Sequence, residues 1–238
     1  MPERMTYGQA YVFDESGRSR RAIVTVSIGP AYQQISSLTH PLMADYAHRC
    51  GASFEVITER VYPSNIQMFW EKLQMREYLR EYGRIAFIDS DVIIHPQAPS
   101  LFDVVPEGYL GMLNEAHVQG VKNKKKELQD FCQRAGIQMP QWDGRYWNVG
   151  IIVFGRQHLH VFDDPPKWVR HDYPEQALVN IRIAEQKVKM FELPRCMHDW
   201  KHVARKDSWI VHYAGHRKDG KLVGTIEKDI KKWNHSKN

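Results

Sequence analysis

Short apolar runs separated by helix-length stretches set the strongest limit on how this chain can fold. AIVTVSI at 22–28 is rich in β-branched residues and stops at Gly29 and Pro30; SFEVI at 53–57 and RIAFI at 84–88 follow. Each has the length and composition of a buried strand. Between them lie a helical stretch at 38–49, stopped by Cys50 and Gly51, and a second at 67–82. In the second, Met68, Leu73, Met75, Tyr78, Leu79 and Tyr82 recur near helical spacing before Gly83. This alternation predicts an α/β fold with a twisted, mainly parallel central sheet flanked by helices. Ligands of such sheets bind beyond the carboxyl ends of the strands, so the loops after Ile28 and Ile88 are the places to look.

Beyond Pro106 the pattern is more mixed. Strands are expected at 109–113, 149–154, 188–193 and 209–213, a polar helix at 124–135, another at 175–185, and a basic terminal helix at 226–233. The 238 residues suit one domain, and 42% hydrophobic with 26% charged residues is ordinary globular composition. No run reaches the length of a membrane span and the first residues lack the apolar core of a secretory signal, so a cytoplasmic location is expected. Three scattered cysteines, Cys50, Cys132 and Cys196, fit free thiols in a reducing compartment. The net charge of +5 gathers partly at 122–126 and 228–237. Both runs read first as solvated faces; the alternative is peripheral contact of the basic C-terminal tail with an anionic membrane, and nothing calls for nucleic acid.

The segment RIAFIDSDVIIHPQAPSLF carries the sharpest chemistry. An apolar strand delivers Asp89 and Asp91 at i, i+2, which on an extended chain points both carboxylates the same way. A polyanionic nucleotide diphosphate can approach them only across a divalent cation, and hard oxygen ligands suit Mn2+ or Mg2+. Alone, two such aspartates are equally readable as a cap or a loop solubiliser. Their place between a buried strand and the Pro-x-x-Pro-x-Leu-Phe turn sets them apart. Four further segments accompany them: Trp70-Glu71-Lys72-Leu73, Trp147-Asn148-Val149-Gly150, Glu175-Gln176-Ala177-Leu178-Val179-Asn180, and His212-Tyr213-Ala214-Gly215-His216-Arg217-Lys218.

Together these segments resemble the GT-A glycosyltransferases, above all the retaining enzymes of family eight, with family thirty-four a near competitor. The resemblance implies a single Rossmann-like GT-A domain over residues 1–238. Residues from about 20 to 113 would bind the nucleotide, those from about 114 to 224 would shape the donor-sugar and acceptor side, and 225–238 would form a basic helix or tail. It implies a nucleotide-sugar donor, UDP-glucose or UDP-galactose by analogy, and a glycan or other hydroxyl acceptor. Asp89, Asp91 and His212 would hold the metal, with Ser90 between the two carboxylates. Gly215 and Lys218 would meet the diphosphate, Lys218 balancing the charge of the leaving group.

By the same resemblance Lys72 lies near the donor, and Asn148 and Gly150 line the sugar pocket. Gln176 is the family's group nearest the anomeric carbon, while Glu175 stands where the family has aspartate. Thr25, Ser27 and Ile28 would offer backbone groups to the base, and Tyr32 a stacking ring. Asp219-Gly220 replaces the family's Pro-Trp, so the lid expected at 213–224 has a different shape. Plainer readings stand beside these. Asn148 and Gly150 also suit a turn, Gln176 and Asn180 a helix pair, Lys72 the surface, and Trp70, Trp142 and Trp147 the core. His95, His117, His158, His160, His171, His198 and His202 read as surface or core residues. Two other classes remain: a nucleotidyltransferase, although SIGPAY is no triphosphate loop, and a noncatalytic nucleotide-sugar-binding module.

Overall fold

A computed structural model describes residues 19–117, 123–200, 207–214 and 220–235. Gly215 and Lys218, with the middle of the expected lid at 215–219 and with Lys122 and His202, lie outside the described residues, while 220–224, expected as part of that lid, open the C-terminal helix Gly220–His235, where Leu222 is buried.

Strands β1 (Arg21–Val26), β2 (Ser53–Ile57) and β3 (Arg84–Ile88) form where the apolar runs place them, with helix α1 (Pro30–Arg49) between the first two. α1 is eight residues longer at its start than the apolar spacing suggests. Gly29, at φ 88°, turns the chain, and Pro30 enters at the first helical position, where its missing N–H costs nothing. Tyr32 therefore sits on the first turn of a helix instead of in a loop. Residues Met68–Arg80 form 3-10 turns where an α-helix was expected. Buried Trp70, Leu73 and Leu79, with half-buried Arg76, fall on a three-residue repeat, which matches the pitch of that tighter helix.

The rest runs β4 (Val92–Ile94), α2 (Leu101–Val104), β5 (Leu110–Asn114), α3 (Lys124–Ala135), β6 (Trp147–Gly155), α4 (Pro174–Glu185), β7 (Met190–Glu192), β8 (Asp199–Trp200), β9 (Ile210–His212) and α5 (Gly220–His235). The main sheet has the order β2-β1-β3-β6-β5-β7. β6 alone runs against the others, antiparallel to both β3 and β5, while the remaining pairs are parallel. Every residue of β3 and β6 is buried, because helices cover both faces. Alternation along β3 shows it: Ile85 and Phe87 pack with Trp70, Leu73 and Phe154, whereas Ala86 and Ile88 pack with Met43, Tyr46 and Phe102.

A second, small sheet, β4-β9-β8, continues the chain past the aspartates. It packs through Ile93, Val211 and Tyr213 against Leu222, Ile226 and Trp233 of α5. Among the described residues no helix is long and apolar enough to cross a membrane. The lysine run at 122–126 is not uniformly solvated. Lys125 and Lys126 are exposed, but Lys124 turns inward onto Glu115 at 2.8 Å and Glu127 at 2.7 Å.

Candidate active site

The Asp89-Ser90-Asp91 tripeptide leaves β3 and is pinned by three distant segments. Asp89 N donates to Gly150 O (2.8 Å) on β6, Ser90 O accepts from Thr39 Oγ1 (2.7 Å) on α1, and Asp91 O accepts from Tyr213 N (3.0 Å). The antiparallel register of β4 and β9 sets Val92 opposite His212. That register brings the imidazole to the carboxylates: His212 Nε2 lies 3.5 Å from Asp89 Oδ2 and 3.4 Å from Asp91 Oδ1. One ligand atom from each residue lies within 4.8 Å of the others, and among the described residues no other group of three acids, histidines or cysteines does this. Two hard carboxylates and one imidazole, gathered in a cleft of about 370 Å3, fit a divalent cation of the manganese or magnesium type.

Lys72 stands over this cluster, 2.8 Å from Asp89 Oδ2 and 3.5 Å from Glu175 Oε1. Burial works against its charge, but Asp89 and Glu175 outweigh it and hold the ammonium above the ordinary lysine range. Glu175, 2% exposed, goes the other way: burial pushes its carboxyl up to about 7 despite Lys72. Its Oε2 is buried without a hydrogen-bond partner among the described residues. Gln176 is differently placed. Its Oε1 accepts from Val149 N (3.1 Å) and its Nε2 points to Glu115 Oε1 (3.4 Å), so both ends of the amide are occupied by protein. Glu115 also receives Asn148 Nδ2 at 2.7 Å, and Asn148 Oδ1 accepts from Gly150 N at 2.8 Å. Asn180 bridges Trp147 N and O from α4.

Lys72, Asp89, Ser90, Asp91, Asn148, Gly150, Glu175, Gln176, His212, Ile28 and Tyr32 all line the one cleft. Thr25 and Ser27 do not. Strand alternation gives the cleft Val26 and Ile28 instead, while the Ser27 hydroxyl turns to Ser36 at 3.1 Å. Trp70 and Trp147 are core residues and Trp142 Nε1 bonds Arg145 O, so none of the three offers a face to the cleft. Burial raises the Tyr32 phenol, with Asp89 and Asp91 adding to it.

Three contributors were missed in the sequence. Thr39 carries no local signal, since its partner is the backbone of Ser90. Glu115 does carry one: it is an acid immediately after buried strand β5, the same placement that singles out Asp89. His198, read from the sequence only as a surface or core residue, is buried and bonded. Its Nε2 lies 3.1 Å from His212 Nδ1, with the rings stacked.

Gly150 is small because His212 leaves no room. A Cβ there would overlap His212 Cε1 and Nδ1 and lie 3.0 Å from Asn148 Oδ1. Gly150→Ala is therefore expected to displace the imidazole, costing about 1–3 kcal/mol of stability by overpacking. Most of the metal-dependent rise in melting temperature should go with it. Thermal melts with Mn2+ and with chelator measure both effects, and an unchanged Mn2+ response would show that the ring has room to move.

No protein-family profile and no curated protein sequence matches the chain. Solved structures do. A glycosyltransferase involved in glycosylation of the major capsid of PBCV-1 superposes with a TM-score of 0.60 at 11% identity, covering 87% of this chain and 99% of that one. The bifunctional glycosyltransferase WbbM gives 0.61 at 15% identity over 92% of this chain and 51% of its own. Mouse xyloside xylosyltransferase 1 gives 0.50 at 12% identity, over 82% and 98%. At such low identities the shared property is the fold, and it is the GT-A α/β fold implied by the motifs.

Proposed function

We propose that this chain is a metal-dependent glycosyltransferase. In this reading it transfers a hexosyl group from a UDP-sugar to the hydroxyl of a glycan or similar acceptor, with retention of configuration. The observation that carries the proposal is the convergence of Asp89, Asp91 and His212 in a cleft also lined by Tyr32, Lys72, Asn148 and Glu175. A divalent cation held there would supply a Lewis acid for the departing diphosphate. Lys72 supplies a fixed positive charge beside it, and Lys218 and Gly215 are assigned to the diphosphate from their sequence motif. Tyr32 takes the base. Asn148, held by Glu115, and Glu175 take the sugar, and Glu175 Oε2 is the carboxylate oxygen with a lone pair to spare. Gln176, engaged at both ends, orients the Val149 backbone and leaves the reacting role to its neighbour.

The whole of 1–238 is read as one catalytic domain, its nucleotide side at 20–113 and its sugar and acceptor side at 114–224. The exposed Lys228, Lys231 and Lys232 of α5 suit contact with an anionic surface from a cytoplasmic protein. The test is a panel of nucleotide sugars scored by thermal shift and slow donor hydrolysis, each with Mn2+ and with chelator. UDP with Mn2+ should raise the melting temperature by roughly 5–10 °C at saturation, since a ligand at a hundred times its Kd adds about 2.7 kcal/mol. Without the metal the rise should be small. Equal shifts under both conditions would count against the metal bridge, and binding without any sugar release would leave a noncatalytic binding module.

A further inference from the structure

The imidazole that faces the two aspartates is itself held by a second imidazole. His198 follows the turn Arg195–Met197 and precedes β8, which runs parallel to β9 with Trp200 opposite His212. This brings the two rings to a centroid separation of 5.3 Å at an interplanar angle of 28°, with His198 Nε2 3.1 Å from His212 Nδ1. His198 is fully buried, so neither ring can exchange this bond for water. One nitrogen must carry the proton between them, and which one decides whether His212 can ligate. If His212 Nδ1 donates, its Nε2 presents a lone pair to the space beside Asp89 and Asp91. If His198 Nε2 donates, a neutral His212 carries its own proton on Nε2 and cannot bind a cation there.

Metal-bound histidines usually have this choice made for them by a carboxylate or carbonyl on the outer nitrogen. Here the outer group is another histidine, and its far nitrogen, His198 Nδ1, has no hydrogen-bond partner among the described residues. Nothing described locks His198 into one tautomer, so it can either accept from or donate to His212.

We propose that His198 is a positioning residue that sets the tautomer of His212 and switches it on cation binding. With the site empty, His212 Nε2–H faces the two carboxylates and His198 Nε2–H donates to His212 Nδ1. With a cation on His212 Nε2, His212 Nδ1–H donates to His198 Nε2 and the His198 proton resides on Nδ1. Each ring carries one proton before and after, so the exchange moves protons between nitrogens without net gain or loss. The inference rests on the metal site proposed above and deepens it.

Two measurements test it on the full-length protein. Nitrogen-15 NMR of the imidazoles, with and without MgCl2, should show His212 protonated at Nε2 in the free protein and at Nδ1 in the bound one, with His198 changing in step. In parallel, MnCl2 affinity is read from free Mn2+ by electron paramagnetic resonance. His198→Phe keeps the stacked ring but removes the acceptor, and should weaken Mn2+ binding about tenfold or more, as loss of an outer partner of a metal-bound histidine typically does. His198→Gln can place an amide oxygen near the lost Nε2 and should remain within a few-fold of wild type. Wild-type affinity in a folded His198→Phe protein would overturn the proposal, as would an unchanged tautomer of His212 on Mg2+ addition. If His198→Phe does not fold, the His198→Gln affinity and the wild-type spectra still decide it. A wild-type protein that binds neither Mg2+ nor Mn2+ would instead reject the metal site itself.

Discussion

Asp91→Asn is expected to lower sugar transfer by about a thousandfold or more and to remove most of the Mn2+-dependent rise in melting temperature. Asp91 is 4% exposed, and its Oδ1 lies within 3.4 Å of His212 Nε2. An amide there keeps the shape but loses a charge facing the cation site. A thousandfold is about 4 kcal/mol, within the several kcal/mol that a bound metal contributes to charge stabilisation in such reactions. The fold should survive, because the backbone contribution of this residue, its carbonyl accepting from Tyr213 N, is untouched. Asp103→Asn, with a carboxylate 73% exposed and paired at 3.7 Å with Arg21, serves as the control and should change neither quantity. Steady-state transfer assays and melts with Mn2+ and chelator give the comparison. A variant that retains wild-type transfer would remove Asp91 from the metal site.

Glu175→Gln should be nearly as damaging to catalysis, with a different signature. Transfer is expected to fall roughly 100-fold to 1000-fold, the usual span for losing a positioned acid, base or charge-stabilising group, while the Mn2+-dependent binding of UDP stays close to wild type. Stability should move the opposite way. The folded protein raises Glu175 from 4.5 to about 7, so between those values the folded chain holds a proton that the unfolded chain has released. Wild-type stability therefore falls as pH rises from 4.5 through 7 and levels off above. The neutral glutamine has no such slope. With chelator present, the variant should melt close to wild type at pH 5 and above it at pH 8. A melting difference that is the same at both pH values would show that Glu175 is not held protonated by its surroundings. Wild-type turnover would return the reacting role to Gln176.

How much of this was legible in the sequence follows from the range of the interactions. The strands β1, β3 and β6 could be read because burial on both faces writes itself as continuous apolar runs, and the half-buried edge strand β2 because Phe54, Val56 and Ile57 follow the stop at Cys50 and Gly51. The metal ligands could be read because Asp89 and Asp91 lie beside such a run and His212 falls in a spaced motif. The start of α1 was hidden by the polar stretch after Pro30, and the 3-10 pitch of Met68–Arg80 by a three-residue repeat that resembles a helical one over so short a span. Thr39 and His198 act through partners far away in sequence, and pairings of that kind have no local trace; Glu115 has the local mark of an acid after a buried strand, but its partners Asn148 and Gln176 are equally distant. The different fates of Glu175 and Gln176 were equally invisible. They are neighbours on one helical turn, and only the position of Glu115 and of the Val149 amide shows that one is fully bonded while the other keeps an oxygen free.

The triple anchoring of Asp89-Ser90-Asp91 also bears on when the site comes into being during synthesis. Asp91 leaves the ribosome 121 residues before His212, and Gly150, which takes the Asp89 amide, stands between them. Until β9 has emerged and paired with β4, the nascent chain exposes two carboxylates with neither their imidazole nor the Tyr213 amide that braces Asp91. A partly made chain could therefore fold its first parallel strands and still possess no cation site. Competence would arrive in a single late event, when residues beyond 210 dock, and a chain released before that point would be an inert fold instead of a weak enzyme.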